Sequence, residues 1–480
     1  MERAKNHCKV LDYYCDISIN WLSKPKNKID LVNKNNSFQK TIQKKYFVFG
    51  MGKTGLSVAN FLKRNHENAI YFDSRKNPPQ LDDFKKLFTK ENIFLEKIET
   101  KNIDDVTHVI VSPGINDNND LLKIFRKNNI PILSDIDLYV ENSAKSFVAI
   151  TGTNGKSTVT ELVSFLCNNA GVKSSAGGNL GTPALDLIDD DAELHILELS
   201  SFHLHRCSNL PAKVAVLLNI SRDHIDWHGD EESYRQSKFR VLKDASSLVF
   251  NHDIPEVKNY LDNKLSVSFG SRTTKKNSYS LLPKDDEILL TYNEKKIVGS
   301  SQLKLFGIHN YENILAALAV TLLLGLDESL VIDAVKRFEG LPHRMQLVAS
   351  KGNIDYINDS KGTNVNAAIA SINSVSAEVI LLAGGQSKGG DFDYFAKATK
   401  NKIKLAVLFG EDSKLIGKQL KKYTSVIYKN TLEEAFHEAN NLCTSGDTIL
   451  LSPACASFDQ FKSFSHRGDE FIRIVNRSIK

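Results

Sequence analysis

Cysteine is scarce in this sequence, with six residues among 480 and none of them in a C-x-x-C pair. So few thiols cannot stabilise a chain of this length by disulfide cross-links, which favours a reducing compartment over a disulfide-rich secreted fold. Concentrated basic charge is also lacking, because the formal net charge of +5 is spread along the chain without a cluster. Nucleic-acid binding usually needs such a cluster, so no nucleic-acid partner is expected.

Long apolar segments are missing as well. The most apolar run, ILAALAVTLLLGL (314–326), is much shorter than the roughly 20 residues that a membrane helix needs, and it suits a buried helix. The N-terminus lacks the apolar core of a signal peptide. We therefore expect a cytoplasmic protein, a monomer that acts on small molecules and has no membrane partner.

Alternation of strand-like and helix-like segments dominates the rest of the chain. Residues 1–40 are rich in Lys and Asn and lack periodicity, so they are interpreted as an N-terminal extension. After them, short apolar runs such as YFVF, SFVAI and VILLAGG alternate with helical stretches, which predicts α/β units with parallel sheets. The pattern restarts twice. The predicted domains are 41–134, 135–339 and 340–480.

The first strand exit carries Gly50-x-Gly52-x-x-Gly55, with Asp73 about 20 residues further on, as in a dinucleotide-binding fingerprint. Three interpretations stay open. The glycines could serve an NAD-dependent oxidoreductase, or they could simply pack a helix on a strand. The helix N-terminus could also hold another diphosphate, because its free N–H groups and dipole suit any such anion.

The second restart carries AITGTNGKST (149–158), a P-loop that lacks its first glycine, since Ile150 stands in that place. A strand precedes it and a helix follows, which is the context that a phosphate-binding loop requires. Lys156 is expected to reach the terminal phosphates, and the hydroxyl of Ser157 to face Mg²⁺. Glu198, followed by Asp223 and His224, stands at the next strand exits. The series predicts a nucleotide site.

Nine stretches along the chain resemble the Mur ligases in order and approximate spacing. They are AITGTNGKST, GGNLG, LELSSFHL, NISRDHIDWHG, YRQSKFR, GIHNYENILAALA, GLPHRMQ, NDSKGTN and LSPACASFDQFKSFSHRGDEF. The resemblance runs from about residue 45 to the C-terminus. It implies a three-domain architecture with a Rossmann-like N-terminal domain, a central P-loop ATPase-like domain and a Rossmann-like C-terminal domain. GMGKTGLS, SPGI and the C-terminal motif are most similar to the members that add D-glutamate to UDP-N-acetylmuramoyl-L-alanine.

This resemblance implies an ATP-dependent ligase of peptidoglycan precursor synthesis, and hence of cell-wall biogenesis. The substrate carboxylate would become an acyl phosphate, and the amine of D-glutamate would displace the phosphate. One Mg²⁺ would lie on Ser157 and Glu198, and a second near His224 and Lys238. The resemblance also implies that Lys238 captures carbon dioxide and ligates the second ion as a carbamate. The implied catalytic residues are Lys156, Glu198, His224 and Lys238.

The resemblance also assigns binding residues to each substrate. The ATP site would comprise Gly152, Thr153, Asn154, Gly155, Lys156, Ser157, Thr158, Asn310, Asn313, Arg344 and Asp359. The UDP-sugar site would comprise Gly52, Lys53, Thr54, Asp73, Arg75, Ser112, Gly114 and Asn179. The D-glutamate site would comprise Thr363, Lys388, Ser457, Phe458 and Phe464.

Two positions depart from the family pattern. Phe458 stands where many relatives have an aliphatic residue, and Trp227 stands where a basic residue is frequent. Other functions remain as alternatives: a Mur ligase with a different amino-acid substrate, a nucleotide-dependent oxidoreductase, or a P-loop ATPase. An oxidoreductase would leave the P-loop without a role, and a P-loop ATPase would not explain the third α/β section.

Overall fold

The computed structural model describes residues 44–479 apart from 180, 272–275, 286, 376 and 388. The predicted N-terminal extension, 1–40, therefore lies outside the described residues. Three sheets follow one another along the chain, each flanked by helices, which confirms the predicted α/β class. The segments that carry these sheets are called the first, central and C-terminal domains below.

The first domain is built on a parallel sheet in the order β3-β2-β1-β4-β5. Its strands are β1 Lys45–Phe49, β2 Asn68–Asp73, β3 Ile93–Leu95, β4 His108–Val111 and β5 Ile132–Leu133. Its helices are α1 Lys53–Arg64, α2 Leu81–Leu87 and α3 Asp120–Lys127, and α4 Asp135–Asn142 leads into the next domain. The central strand β1 is an almost continuous apolar run because helices cover both faces of the sheet.

The central domain carries a mixed sheet in the order β14-β13-β12-β11-β10-β9-β6-β8-β7. Its strands are β6 Ser146–Thr151, β7 Ser174–Gly178, β8 Leu194–Glu198, β9 Val214–Leu217, β10 Ser247–Asn251, β11 Leu265–Gly270, β12 Ser278–Lys284, β13 Glu287–Tyr292 and β14 Lys295–Gly299. Its helices are α5 Lys156–Asn169, α6 Ser201–Arg206, α7 Ile225–His228, α8 Glu231–Lys243, α9 Ile308–Leu324 and α10 Glu328–Arg337. Strands β12 to β14 pair antiparallel and extend the sheet at one edge.

The C-terminal domain has a sheet in the order β15-β16-β20-β17-β18-β19, parallel except for β15. Its strands are β15 Gln346–Lys351, β16 Ile354–Asn358, β17 Val379–Gly384, β18 Ile403–Phe409, β19 Ser425–Tyr428 and β20 Thr448–Leu451. Its helices are α11 Val365–Ser374, α12 Phe392–Thr399, α13 Ser413–Leu420, α14 Leu432–Leu442 and α15 Phe464–Ser478. Each face of this sheet has its own hydrophobic core.

The apolar run 314–326 falls mostly in α9, which packs into the central core and is buried along most of its length. That confirms the prediction of a buried helix. No helix among the described residues is long and apolar enough to cross a membrane. One hydrophobic cluster joins the first and central domains, since Tyr46 and Ile110 share it with Phe147 and Leu185.

Candidate active site

Strand ends of the central and C-terminal domains face a common cleft of about 800 Å³. Open α/β sheets place ligands at the carboxyl ends of their strands, so this is the expected position for a site. Many residues that the sequence assigned to ATP line this cleft together. They are Thr153, Asn154, Gly155, Lys156, Ser157, Thr158, Asn310, Asn313, Arg344 and Asp359.

The position that the first glycine of a P-loop would occupy, residue 150, still belongs to strand β6 in this protein. Ile150 is fully buried within β6 and pairs with Glu198 of β8, so the turn begins only after Thr151. Gly155 adopts a positive φ of 85°, and a Cβ there would overlap Oδ1 of Asn313. The position therefore requires glycine for both conformation and space. The loop is held in this form by contacts with the next strand exit.

Asn219 supplies those contacts, and sequence reasoning missed it. Its side-chain oxygen accepts from the N–H of Asn154 at 2.8 Å, and its backbone oxygen accepts from the N–H of Thr153 at 2.9 Å. Its side-chain amide donates to the carbonyl of Asn154 at 3.0 Å. Asn219 follows β9 directly in the motif NISRDH, so its position at a strand exit was the available signal.

Lys156 and Lys238 meet at one backbone oxygen. The carbonyl of Gly152 accepts from Nζ of Lys156 at 2.8 Å and from Nζ of Lys238 at 2.7 Å. Lys238 lies on α8 with only 1% of its surface exposed. Burial, and then the nearby Lys156, lower the pKa of Lys238 well below its ordinary value. Burial also lowers the pKa of Lys156, although Glu198 opposes this shift. Lys238 is therefore a buried amine and not a solvated surface charge.

Glu198 has the properties of a cation ligand. It ends β8 beside the P-loop, and its Oε1 accepts from the side-chain amide of Asn179 at 2.7 Å. Its Oε2 is buried and has no hydrogen-bond donor among the described residues. A desolvated carboxylate oxygen without a donor fits a bound cation, and the buried hydroxyl of Ser157 lines the same cleft. The described residues contain no group of three His, Cys, Asp or Glu side chains that could hold a metal alone, so Mg²⁺ here would need oxygens from substrate and water.

His224 occupies the next strand exit in a left-handed conformation, with φ of 53°. Its Nε2 lies 3.7 Å from Oδ2 of Asp223, and its ring packs edge-on against Phe202. Tyr234 on α8 closes this side of the P-loop, because its hydroxyl lies 2.8 Å from Oγ1 of Thr153. His224 therefore lines the same cleft as Lys156 and Glu198.

The C-terminal domain contributes two charged residues to the cleft. Arg344 lies in the turn before β15, and Asp359 lies at the exit of β16. Burial lowers the pKa of Arg344, while Glu198 and Asp359 oppose that shift. Burial raises the pKa of Asp359 to about 6, although Ser371 and Ser452 donate to its Oδ2 at 2.6 and 2.8 Å. These two side chains bring both signs of charge to the wall opposite the P-loop.

The glycine motif of the first domain forms a tight strand-to-helix turn. A Cβ on Gly55 would overlap the carbonyl oxygen of Gly50, so this glycine permits close helix packing. Gly52 caps α1, with Lys53 and Thr54 as its first residues, and Lys53 donates to the carbonyl of Gly181 in the central domain. The N-terminus of α1 is therefore available to an anion.

Both carboxylate oxygens of Asp73 already accept hydrogen bonds within the protein, unlike those of a carboxylate that is open to a ribose hydroxyl. Nε and Nη2 of Arg75 donate to it at 2.8 and 2.7 Å, and the N–H of Met51 donates at 2.8 Å. Burial opposes ionisation, but these donors keep the pKa of Asp73 below its ordinary value. Nearby, Oγ of Ser112 donates to the carbonyl of Gly50 at 3.3 Å, and the space beside Gly114 is open.

The residues assigned to D-glutamate are dispersed. Thr363 lines the cleft, whereas Ser457 is buried and the side chain of Phe458 is 67% exposed. The ring of Phe464 lies under Nζ of Lys361 at 4.1 Å. Lys388 lies outside the described residues.

Arg467 is a second residue that sequence reasoning missed, although it stands in the quoted C-terminal motif. It is completely buried and donates to the carbonyls of Ser360, Gly384, Cys455 and Ala456. These carbonyls lie in the loops that follow β16 and β20 and at the last residue of β17, so one guanidinium fixes three strand exits. Burial lowers the pKa of Arg467 to about 10.

The fold and this cleft together define a P-loop nucleotide-dependent enzyme whose C-terminal domain faces the nucleotide site. Residues 44–134 match the Mur ligase MurD-like N-terminal domain, 150–321 the Mur ligase middle domain, and 343–455 the Mur ligase glutamate ligase domain. The chain belongs to the Mur ligase family. Members of this family are ligases that use ATP and Mg²⁺ in peptidoglycan precursor synthesis.

Curated relatives match almost end to end. The UDP-N-acetylmuramoylalanine--D-glutamate ligase of Legionella pneumophila (strain Lens) is 38% identical over 440 residues, which cover 90% of this chain and 98% of the relative. The enzyme of the same name from Methylococcus capsulatus is 39% identical over 435 residues, covering 90% and 95%. Among solved structures, a pseudomurein peptide ligase type C from Methanothermus fervidus has a TM-score of 0.58 at 21% identity, covering 90% of this chain and 99% of that one. That last likeness concerns the fold.

Proposed function

We propose that the protein joins D-glutamate to UDP-N-acetylmuramoyl-L-alanine with the hydrolysis of ATP to ADP and phosphate. One observation carries the proposal: the P-loop Lys156, the carboxylate of Glu198, whose Oε2 has no donor among the described residues, and residues of a second α/β domain line one cleft. Phosphoryl transfer depends mostly on positioning and charge neutralisation, which this arrangement can provide. The names of the relatives supply the substrate class.

In the first step, the carboxylate of the substrate's L-alanine attacks the γ-phosphorus of ATP, and the bond to the β-phosphate oxygen breaks. The loop N–H groups and Lys156 would hold the phosphates and neutralise charge on the transferred group. Mg²⁺, when bound by Ser157 and Glu198, would supply charge that lets two anions approach. Arg344 would add a second cation from the opposite wall of the cleft.

In the second step, the amine of D-glutamate attacks the acyl phosphate, and the tetrahedral intermediate expels phosphate as the amide forms. We assign the amino acid to the C-terminal domain, with Thr363 in the cleft and with Lys388, Ser457, Phe458 and Phe464 as the other binding residues. Arg467 would act as a positioning residue, because it fixes the exits of β16, β17 and β20.

The UDP-sugar is assigned to the first domain. The N-terminus of α1 at Gly52, Lys53 and Thr54 suits a diphosphate. Asp73 and Arg75 would lie at the uridine end, where their mutual pairing leaves the remaining guanidinium N–H groups for the nucleoside. Ser112, Gly114 and Asn179 would complete the site. Asn179 donates to Glu198, so it would connect the UDP-sugar site to the proposed Mg²⁺ site.

We further propose that Lys238 carries a carbamate and, with His224, holds a second Mg²⁺. A protonated amine cannot ligate a cation, whereas a carbamate offers oxygens that suit Mg²⁺. The lowered pKa of Lys238 supports this, since only the neutral amine attacks carbon dioxide. A C–N bond forms, one oxygen of the gas becomes anionic, and the amine proton leaves to solvent.

The test is release of phosphate from ATP and Mg²⁺ with UDP-N-acetylmuramoyl-L-alanine and a panel of amino acids. We expect turnover only when this UDP-sugar and D-glutamate are present together, with L-glutamate as the stereochemical control. Turnover with L-alanine, a diamino acid or a dipeptide instead would make the protein a Mur ligase of different specificity. We expect it to act in the cytoplasm as a monomer.

A further inference from the structure

Arg206 joins the first domain to the central domain. It ends α6, and only 3% of its side chain is exposed. Its Nε and Nη2 donate to Oδ1 of Asp117 at 3.1 and 2.8 Å. Nη1 donates to the carbonyls of Ser112 and Pro113 at 3.4 and 3.3 Å, and Nη2 to that of Ile115. One guanidinium thus binds the whole loop 112–117, which follows β4.

His205 extends the connection towards α8. Its Nε2 lies 2.9 Å from Oδ2 of Asp117, so both carboxylate oxygens of that residue have partners in the central domain. Its Nδ1 lies 3.2 Å from Oγ of Ser237, the residue that precedes Lys238. We call Asp117, His205 and Arg206 the interdomain latch.

Trp227 completes the contact through α7. Its carbonyl accepts from the side-chain amide of Asn116 at 3.1 Å, a further bond to loop 112–117. The guanidinium of Arg206 lies 5.3 Å from the centre of the indole ring, and the ring of His205 packs edge-on at 5.1 Å. The aromatic residue that departs from the family pattern therefore serves as a surface on which the latch packs.

The latch connects three helices that follow or carry proposed metal ligands, because His205 and Arg206 lie on α6 and contact Ser237 of α8 and Trp227 of α7. Helix α6 begins three residues after Glu198, α7 begins one residue after His224, and α8 contains Lys238. Loop 112–117, on the other side, contains Ser112 and Gly114 of the proposed UDP-sugar site. A displacement of this loop would therefore act on α6, which follows Glu198, on α7, which follows His224, and on α8, which carries Lys238.

We propose that Asp117, His205 and Arg206 are positioning residues that couple occupancy of the UDP-sugar site to the geometry of the metal-binding elements. This inference rests on the proposed function only for the identity of the two ligands, which are the UDP-sugar and Mg²⁺ with ATP. Coupling of this kind is reciprocal, so each ligand must raise the affinity for the other by the same factor. The latch would make the sugar nucleotide a condition for correct placement of the metal site.

The chain offers a matched control at the same domain boundary. Nη1 of Arg64 lies 3.2 Å from Oδ2 of Asp189, again an Arg–Asp pair between the first and central domains. These side chains are 48% and 67% exposed, so water screens them and the pair contributes little. Neither belongs to an element that carries a proposed metal ligand. Arg64→Ala removes an interdomain ion pair without touching the latch.

The first experiment measures the affinity of the full chain for UDP-N-acetylmuramoyl-L-alanine, without and with Mg²⁺ plus a non-hydrolysable ATP analogue. For wild type and Arg64→Ala we expect the second ligand to tighten binding by about 10-fold, a typical coupling. For Arg206→Lys and Asp117→Asn we expect that ratio to fall towards one, and KM for the UDP-sugar to rise more than kcat falls. The proposal is overturned if the ratio of the two UDP-sugar affinities is unchanged in both latch variants. It is also overturned if the ratio falls as much in Arg64→Ala as in the latch variants.

A second experiment needs no ligand and so separates this inference from the proposed function. Amide hydrogen exchange of the full chain is compared among wild type, Asp117→Asn and Arg64→Ala. We expect Asp117→Asn to accelerate exchange in 112–117 and also in 225–240, while Arg64→Ala leaves both segments unchanged. Acceleration confined to 112–117 overturns the coupling, even if the enzyme makes the expected product. If the wild type does not bind this UDP-sugar but the exchange pattern is as expected, the proposed substrate is wrong. The proposed coupling between loop 112–117 and segment 225–240 then still stands.

Discussion

The two boundaries of the central domain are built in different ways. Towards the first domain, a shared hydrophobic cluster is reinforced by Arg206 with Asp117 and by Ser57, which donates to Asp186 at 2.7 Å. Towards the C-terminal domain lies the large cleft, bordered where α9 meets α11 and where Phe306 packs against the C-terminal core. One boundary is filled, whereas the other encloses a volume that a nucleotide can occupy.

This difference indicates how the three domains divide their work. A filled boundary with buried charge pairs holds one geometry, because separating it would expose apolar surface and unpaired charges. A boundary around a polar cleft can close when a ligand supplies the missing contacts. We expect the first and central domains to move together and the C-terminal domain to close on them.

The largest effect is expected on the cleft side from Lys156→Ala. Loss of this charge leaves the transferred phosphate under-neutralised, so phosphate release should fall by about 10²–10³-fold. Affinity for the UDP-sugar, measured by calorimetry, should stay near wild type because we assign that substrate to the first domain, at the other boundary. Lys173→Ala, an exposed lysine of the same domain, is the control. A parallel loss of UDP-sugar affinity would show that the two boundaries are not functionally separate.

A smaller loss is expected from Lys238→Arg, which keeps a positive charge but cannot form a carbamate. Turnover should fall by about 10²-fold, at the upper end of what loss of support at a metal site costs. Removal of bicarbonate should lower wild-type activity reversibly and leave the variant unaffected. Lys243→Arg, exposed on the same helix, is the control and should retain activity. Near-normal turnover of Lys238→Arg would reject the carbamate.

The smallest effect concerns stability and the pKa of Asp359, raised by burial to about 6. Between about pH 4 and 6 the unfolded chain loses this proton while the folded chain keeps it, so stability falls as pH rises. The group should cost about 1–3 kcal/mol above pH 6. Asp359→Asn should remove this slope from the midpoint of thermal unfolding. Asp355→Asn, an exposed aspartate of the strand that Asp359 follows, should keep the wild-type slope. A slope that persists in Asp359→Asn would contradict the assignment.

The sequence predicted the cleft side of this comparison well. Strand exits are local features, since each polar residue follows an apolar run directly, and parallel strands bring such exits together. Lys156, Glu198 and His224 could therefore be assigned to one site before their distances were known. The antiparallel ribbon β12 to β14 was not predicted, because SYSLLPK and EILLTY lack the strict alternation of polar and apolar residues that indicates a strand.

The latch side could not be predicted in the same way. Asp117 and Arg206 are 89 residues apart in the chain, and each alone has the properties of an ordinary surface charge. Only the packing of loop 112–117 against α6 makes them partners. The role of Arg467 could not be predicted from the sequence either. It donates to backbone carbonyls, and a backbone acceptor does not depend on which side chain the residue carries.

The carbonyl of Gly152, which accepts from both Lys156 and Lys238, has a consequence for the proton balance of the enzyme. Burial lowers the pKa of both amines, and the charge of Lys156 lowers that of Lys238 further, so together they hold fewer protons at a given pH than two free lysines would. A polyphosphate placed beside them shifts the pKa of its nearest amine upward again. We therefore expect nucleotide binding at the proposed site to be accompanied by proton uptake, and the affinity to rise as the pH falls through the range in which the nearest amine titrates.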